Sequence, residues 1–590
     1  MTGNSNETAP ADLARASRGD DSQTLRRLVA AGACAFLLLA CWRAAEIRPS
    51  ALLDPVSLAS VWAFVKGLFP PDLSAPFLRV AAVASAQTLA IALAGTALSI
   101  LISMPLGVLA TKSLWERGVL MSGEKAGFLT AMLSLMSKAA RAILGFLRAV
   151  PDLMWGLLFV VAVGLGSLAG TLALGVSYCG VLGRVYADVF EDVDPRPLEA
   201  LHASGATRAQ VFLRAIWPQA TPAAIAYTLY SFECCVRAAS VLGFIGAGGI
   251  GYEINLSMRL FEYGQVLTLI IALIILVAGT ETVSRWTRSR LHANAPAGSL
   301  AHQHLEDPRG FLRRLLPAGK ARTRALSVLV FAAFAWSFYA TGFFSGSLLD
   351  PQLLARVSRF IRAMMPPELD AAFLLSLREP LMQTVGISVI GTLLGIAIGA
   401  ALSLPATSRL ILHRADEAGH RSRAERTARR VIYFSMRLAL NGLRSIPELV
   451  WVLICILAVG LGPFAGTIAI GLHTGGVLGK LYAETIEEAP ERPLEALRAG
   501  GARPLQILIW GILPQARPTL VSYTVLRWEM NLRVSTVLGL VGGGGLGLAI
   551  YNNIQLGFYS RVSTLIIVIY ALVIATDWIG NRLRAYRTSI

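Results

Sequence analysis

Arg148-Ala149-Val150-Pro151-Asp152-Leu153 returns 296 residues later as Arg444-Ser445-Ile446-Pro447-Glu448-Leu449. The same shift carries Arg196-Pro197-Leu198-Glu199-Ala200-Leu201 onto Arg492-Pro493-Leu494-Glu495-Ala496-Leu497. Laid together without a gap, Arg148–Gly251 and Arg444–Gly547 share 48 identities in 104 positions. Solenoid units run to roughly 20–50 residues, so this is a duplicated whole domain. Two halves related by a pseudo-twofold axis are expected within one polypeptide.

The 590 residues are 55% hydrophobic and only 15% charged, with a mean hydropathy of +0.60. A soluble domain carries roughly 25% charged residues. The apolar residues fall in blocks of about 20, the length of a membrane-spanning helix, without the short alternation of a β-barrel. The chain is therefore expected to be an all-α polytopic membrane protein. Its net charge of +17 does not point to nucleic acid, because the basic residues gather between apolar blocks as the positive-inside rule requires. Residues 284–326 hold nine Lys/Arg and residues 407–444 hold nine more, whereas the tips at 164–170 and 460–466 hold none. Six cysteines, at 34, 41, 179, 234, 235 and 455, lie in or beside apolar runs and do not form a disulfide framework pattern. Leu38-Leu39-Ala40-Cys41 loosely resembles a lipoprotein cleavage box, but a matching helix near 324–343 argues that the first helix is retained.

Each copy reads as six spans. They fall near 26–46, 83–110, 149–167, 168–190, 215–243 and 264–286, and again near 324–343, 379–406, 445–463, 464–486, 511–539 and 561–582. An even number per copy gives both the same orientation, so the repeats are parallel rather than inverted. The division is a disordered cytoplasmic N-terminus at 1–22, a first copy at 23–286, a basic cytoplasmic linker at 287–322 and a second copy at 323–590, with both termini cytoplasmic. Lys138, Arg141 and Arg148 interrupt 127–148, and Arg426, Arg429, Arg430 and Arg437 interrupt 425–444. Charges inside a span are costly, so both stretches are expected to be interfacial amphipathic helices, with the true span starting near Pro151. Phe69-Pro70-Pro71-Asp72-Leu73 and Met365-Pro366-Pro367-Glu368-Leu369 mark corresponding outer segments with short surface-lying helices.

Between spans four and five runs Glu199-Ala200-Leu201-His202-Ala203-Ser204-Gly205, followed by Ile216-Trp217-Pro218-Gln219-Ala220. Its copy is Glu495-Ala496-Leu497-Arg498-Ala499-Gly500-Gly501, followed by Ile512-Leu513-Pro514-Gln515-Ala516. A short helix starting after Pro197 would place Glu199 in its first turn, favourable to the helix dipole. Ala200 and Ala203 form a narrow face, Gly205 ends the helix, and Pro218 and Pro514 mark re-entry into the membrane. The loops resemble the EAA loop of ABC importer permeases, with Leu as the third letter in both. The alternative is a generic helix-turn between spans, which does not account for the pattern occurring twice.

Arg-x-x-Pro-Asp/Glu-Leu, Gly-Leu-Gly with Ala-Gly-Thr, Tyr-Ala-Asp/Glu and Val-Leu-Gly-x-x-Gly-x-Gly-Gly-x-Gly together resemble the phosphonate-transport permease family over nearly all of each copy. The resemblance implies a MetI-like type I ABC importer permease fold and import of phosphonates, phosphite or phosphate. It also implies two cytoplasmic ABC ATPase subunits, which would hold ATP and Mg, and a periplasmic or lipid-anchored substrate-binding protein. The location would be the bacterial inner membrane. Here the usual pair of permeases is fused, so one chain per transporter is expected, with no catalytic residues and no cofactor of its own. The coupling residues would be Glu199, Ala200, Gly205, Pro218, Glu495, Ala496, Gly501 and Pro514. Rival readings are an importer of another small solute such as methionine, an ion-coupled secondary transporter, and a non-transport membrane scaffold.

Span five carries Glu233, Arg237 and Ser240 in the first copy and Glu529, Asn531, Arg533 and Thr536 in the second. Each Glu/Arg pair is spaced i,i+4 and can pair locally. Ionisable groups within a span usually face a bundle interior or a water-filled cavity. These pairs therefore read either as a lining for an anionic substrate, since Arg forks suit phosphoryl oxygens, or as structural ion pairs. His473 reads as a hydrogen-bonded structural group or a substrate contact; metal is not expected, for want of a second ligand at helical spacing. Gly246, Gly248, Gly249 and Gly251, with Gly542, Gly544, Gly545 and Gly547, fit G-x-G-x-x-G. They follow a membrane helix rather than a strand and so read as an outer gate or docking turn, not a dinucleotide site. Gly479-Lys480 lacks the remaining letters of a P-loop.

Overall fold

The computed structural model describes residues 32–33, 35–115, 128–293, 320–344, 350–411 and 423–585. The N-terminus at 1–22 and most of the linker at 287–322 lie outside the described residues. Among the described residues every regular element is helical. Six helices are long and apolar enough to cross a membrane, or nine if each of three bent pairs is one span. The expected first spans are shorter apolar helices, Ala35–Ala44 and Val328–Ala340. The expected fourth span of the second copy is the helix Pro463–Glu487, which falls outside that apolar set.

The expected break before span three is present. Helix Phe128–Ala149 gives way to Asp152–Val163 through a bend of 88°, and Arg423–Ser445 gives way to Glu448–Val459 through 96°. Pro151 and Pro447 lack the N–H that would continue the ladder. The carbonyls left at each bend are partly satisfied by tryptophans of the following helix: Trp155 Nε1 donates to Leu147 O at 3.4 Å, and Trp451 Nε1 to Leu443 O at 3.1 Å. The arginines of the helices before each bend are anchored as well. Arg141 pairs with Glu191, and Arg437 with Glu487 at 2.7 Å. Further along, Arg148 pairs with Asp577 at 3.1 Å and Arg444 with Glu281 at 3.5 Å. Residues 281 and 577 are equivalent under the 296-residue shift, so each copy's arginine grips the other copy's last span.

The chain gathers into two compact units that divide it differently from the sequence copies. One comprises 1–53, 372–440 and 454–548; the other comprises 54–371, 441–453 and 549–590. In the first, helix Arg378–Ser403 packs along Pro463–Glu487; in the second, Ala75–Ala110 packs along Ser167–Glu191. Small residues make both crossings close. Gly391, Gly395 and Gly399 meet Gly471, Gly475 and Gly479, two runs spaced by four. A Cβ on Gly399 would sit 2.9 Å from Gly479 N, and one on Gly391 2.8 Å from Ile470 Cγ2. The other crossing uses Gly95 against Leu174, Gly175 against Leu98, and Gly107 against Tyr186 and the Gly183 carbonyl, with Ser99, Ser103 and Cys179 fully buried nearby along the same two helices. Backbones brought this near gain van der Waals contact that lipid cannot supply.

The copies also exchange their first helices. Cys41 and Ala45 pack with Ile390 of the second copy, and Gly386 lies directly against the Cys41 carbonyl. Reciprocally, Lys320–Ala340 packs on Ala75–Ala110. The Pro-Pro segments dock on the last long helix of each copy. Thr268 Oγ1 donates to Asp72 O at 2.9 Å and Thr564 Oγ1 to Glu368 O at 2.7 Å. The Ser74 backbone N–H donates to Asp72 Oδ1 at 3.0 Å and holds that carboxyl below its ordinary range.

Gly399→Leu is expected to destabilise the protein by about 1–3 kcal/mol through overpacking. Gly442→Ala, where a Cβ meets nothing within 4 Å, is expected to be neutral. Thermal unfolding of the two variants in detergent checks the difference.

Candidate functional site

The two candidate coupling loops are built alike. The first is helix Pro195–Ala203, the second Glu491–Ala499. The first begins earlier than expected because Asp194 caps it, accepting from Arg196 N at 3.0 Å. Both Pro195 and Pro197 fit the first turn, where no N–H is required. Glu199 therefore lies in the second turn, and the expected dipole contact at the first turn is not made; in the second copy the first-turn acid is Glu491, not Glu495.

Each loop helix is pinned by one buried leucine. Leu198 packs with Phe190, Val211, Ala215 and Ile216, and Leu494 packs with Ile486, Ala489 and Ile512. Glu199, Ala200 and Ala203, with Glu495, Ala496 and Ala499, are exposed. Gly205 at φ +84° and Gly501 at φ +75° end the helices in the left-handed region. There Ala206 N donates to Leu201 O at 3.1 Å and Ala502 N to Leu497 O at 3.0 Å, satisfying last-turn carbonyls. A Cβ would meet nothing within 4 Å at either glycine, so the constraint is the backbone conformation and not space.

Beyond each loop the chain widens into π-helical turns, Phe212–Ile216 and Ile507–Ile512, just before Pro218 and Pro514. Widened turns of this kind accommodate local strain in a helix. Gln219 ties this region to the loop: its Nε2 donates to Ala215 O at 2.9 Å, while its Oε1 accepts from Asp194 N at 3.2 Å. Gln515 Nε2 donates to Gly511 O at 2.7 Å in the same way. The Pro-Gln-Ala letters were visible in the sequence, but the glutamine's bridge was not.

The span-five residues separate in character. Glu233 is buried and does not pair with Arg237 as its spacing allowed; it accepts from Arg288 Nη2 at 2.8 Å, on helix Tyr263–Ala293. Arg237 reaches Cys234 Sγ at 3.5 Å. Ser240 is buried and donates to Arg237 O at 2.6 Å. In the second copy Glu529 and His473 are buried and Arg533 is half-buried. Thr536 is buried and donates to Arg533 O at 2.6 Å. Asn531 is 1% exposed. Both ends of its amide are engaged, Nδ2 donating to Thr392 Oγ1 at 2.8 Å and Oδ1 accepting from Thr474 Oγ1 at 3.0 Å.

The glycine turns are clamped by residues that sequence reasoning did not single out. Gly249 N and Ile250 N donate to Gln87 Oε1 at 3.0 Å and Thr88 Oγ1 at 2.9 Å. Gly545 N and Leu546 N donate to Gln383 Oε1 and Thr384 Oγ1 at the same distances. Gly166 N donates to Gly246 O, and Gly462 N to Gly542 O, each at 2.9 Å. The N–H groups that a dinucleotide phosphate would need are thus taken by side chains. A Gln-Thr pair one helix away in each copy was the available signal.

The chain matches the family of binding-protein-dependent transport system inner membrane components twice, at residues 125–292 and 414–585. It is 32% identical to the phosphate-import permease protein PhnE of Mycolicibacterium smegmatis over 550 residues, 92% of this chain and 93% of that protein. It is 36% identical to the phosphite transport system permease protein PtxC of Stutzerimonas stutzeri, over 38% of this chain and 74% of that protein. Among solved structures, an inward-facing MetNI methionine ABC transporter chain aligns with a TM-score of 0.32 at 21% identity, over 37% of this chain and 99% of that one.

If these loops dock an ABC ATPase, as the sequence leads one to expect, replacing Gly205 and Gly501 together by Asp is expected to abolish its copurification. Asn, the residue that follows Gly in use at left-handed helix ends, adds no charge and is expected to retain it at both positions. Pull-down of the tagged chain from membranes checks both.

Proposed function

The chain belongs to the family of binding-protein-dependent transport system inner membrane components, and we propose that it is the complete membrane half of an ABC importer for phosphonate or a related phosphorus oxyanion. The observation that carries this reading is the paired coupling loop: an exposed Glu-Ala face on a helix pinned by one buried leucine, present in both copies. Two loops suit two ATPase subunits, so a separate permease partner is unnecessary. The names of the PhnE and PtxC relatives support the substrate class.

In this reading the loops around Glu199 and Glu495 dock into the cytoplasmic ATPases, which hold ATP and Mg. ATP binding draws the ATPases together, and the loop helices move with them. Leu198 and Leu494 anchor the loop helices in clusters with the residues of the π-helical turns, so that movement reaches the fifth spans through the turns before Pro218 and Pro514. Glu233, Arg237 and Ser240, with His473, Glu529, Asn531, Arg533 and Thr536, lie at or beside the pathway. The glycine turns at 246–251 and 542–547 form the outer gate or the docking point for a periplasmic or lipid-anchored binding protein. The inner-membrane placement has both termini in the cytoplasm.

The test is reconstitution in proteoliposomes with an ABC ATPase and a binding protein from the same genome. ATP-dependent uptake of phosphite, methylphosphonate, 2-aminoethylphosphonate or phosphate is expected, and it should vanish without the binding protein. Uptake of methionine instead, or uptake driven by an ion gradient without the ATPase, overturns the reading.

A further inference from the structure

We propose that Arg237, Tyr178, Tyr230 and Cys234 form an oxyanion-binding site that exists in the first copy alone. The ligand class, a tetrahedral phosphorus oxyanion, rests on the import function proposed above; the anion site itself rests on the following geometry.

Tyr230, Cys234 and Arg237 follow one another at helical spacing on Trp217–Leu242 and so share one face. Tyr178 stands on helix Ser167–Glu191, which packs against Trp217–Leu242; Arg237 reaches Cys234 Sγ at 3.5 Å and interacts electrostatically with both tyrosines. The set is rich in donors: a guanidinium fork, two phenolic O–H groups and a thiol.

Glu233 acts electrostatically on Tyr230 and Asp152 on Tyr178; what Arg237 lacks among the described residues is a paired counter-charge. The carboxylate placed to supply one, Glu233, is turned to Arg288 at 2.8 Å. Asp152, near Tyr178, accepts from Leu153 N at 3.0 Å and makes no ion pair with Arg237 among the described residues. A partly buried cation without a carboxylate is costly, and an anionic ligand removes that cost. The Arg fork and phenols match three phosphoryl oxygens in number and polarity.

The second copy has no such set. The 296-residue shift puts Thr474 at the place of Tyr178, Leu526 at that of Tyr230 and Met530 at that of Cys234. Thr474 is itself committed to Asn531 at 3.0 Å. One anion per chain, held by the first copy, follows.

Cys234 supplies a built-in reporter, because it is half-buried and touches Arg237. The full chain, with its other cysteines replaced by serine or alanine, is treated in membranes with methanethiosulfonates of opposite charge. The anionic reagent is expected to modify Cys234 about tenfold faster than the cationic one, and methylphosphonate or phosphate is expected to slow it. Arg237→Gln should abolish both effects, and Arg237→Lys should keep the charge preference. Tyr178→Phe should weaken the protection by phosphate while the preference stays. Equal rates for the two reagents, or a preference that survives Arg237→Gln, overturns the site. In the reconstituted transporter, Arg237→Gln is expected to lower anion uptake by about tenfold or more, with partial recovery in Arg237→Lys. A transporter that moves no phosphorus oxyanion while Cys234 still shows the charge preference would defeat the import reading and leave the anion site standing.

Discussion

Gly391, Gly395 and Gly399 against Gly471, Gly475 and Gly479 bring two helix backbones to the separation at which a single methyl group would collide. In a bilayer there is no hydrophobic gain from hiding one apolar surface on another, so adhesion depends on how near the backbones can come. The other crossing obeys the same rule with Gly95 against Leu174, Gly175 against Leu98, and Gly107 against Tyr186 and the Gly183 carbonyl. The remaining parts of each unit hang on this pair. The second-span helix of the pair carries Gln87 and Thr88, or Gln383 and Thr384, which clamp the glycine turn. The fourth-span helix ends at Glu191 or Glu487, which receives the interfacial arginine, and leads straight into the loop helix. One crossing therefore positions both the glycine turn and the loop helix of its unit.

The exchange of first helices follows from the same small residues. Gly386 leaves room for the backbone at Cys41 to lie directly against it, so the first helix of one copy finds its seat on the second copy. The reciprocal pairs Arg148–Asp577 and Arg444–Glu281 repeat the exchange at the interfacial helices. Half-buried ion pairs of this sort add modest stability, but their reciprocity gives the fused copies a defined register. Fusion through the linker is compatible with that arrangement, because each copy already depends on elements of the other.

Much of this was legible in the residues. The duplication, the helical class, the break before Pro151 and the paired loops all rest on local signals: an apolar block, a proline, charges at an interface. The loop helix was legible too, although its start was misjudged, because a capping Asp194 outcompetes the second proline as the place to begin. What could not be read are partnerships over long separations. Glu233 has Arg237 four residues away but takes Arg288, 55 residues on. No local pattern distinguishes those two choices; only the approach of the last helix does. The small-residue crossing was present in the second copy as an open run of glycines spaced by four, yet the first copy disguises it with Ser99, Ser103 and Cys179.

The same comparison explains how two copies of one frame came to differ in chemistry. The frame positions are held in both: the clamping Gln-Thr pairs, the loop leucines, the left-handed glycines, the Tyr186–Thr228 and Tyr482–Thr524 hydroxyl pairs. The positions around span five are not. In the second copy Thr392, Thr474 and Asn531 close into a buried hydrogen-bonded knot between three helices, so that side is stiffened by its polar groups. In the first copy Tyr178 and Cys235 stand where Thr474 and Asn531 would be, and no such amide knot can form. A polar network that is fully satisfied rigidifies its surroundings, whereas one left with donors in excess is completed by a ligand.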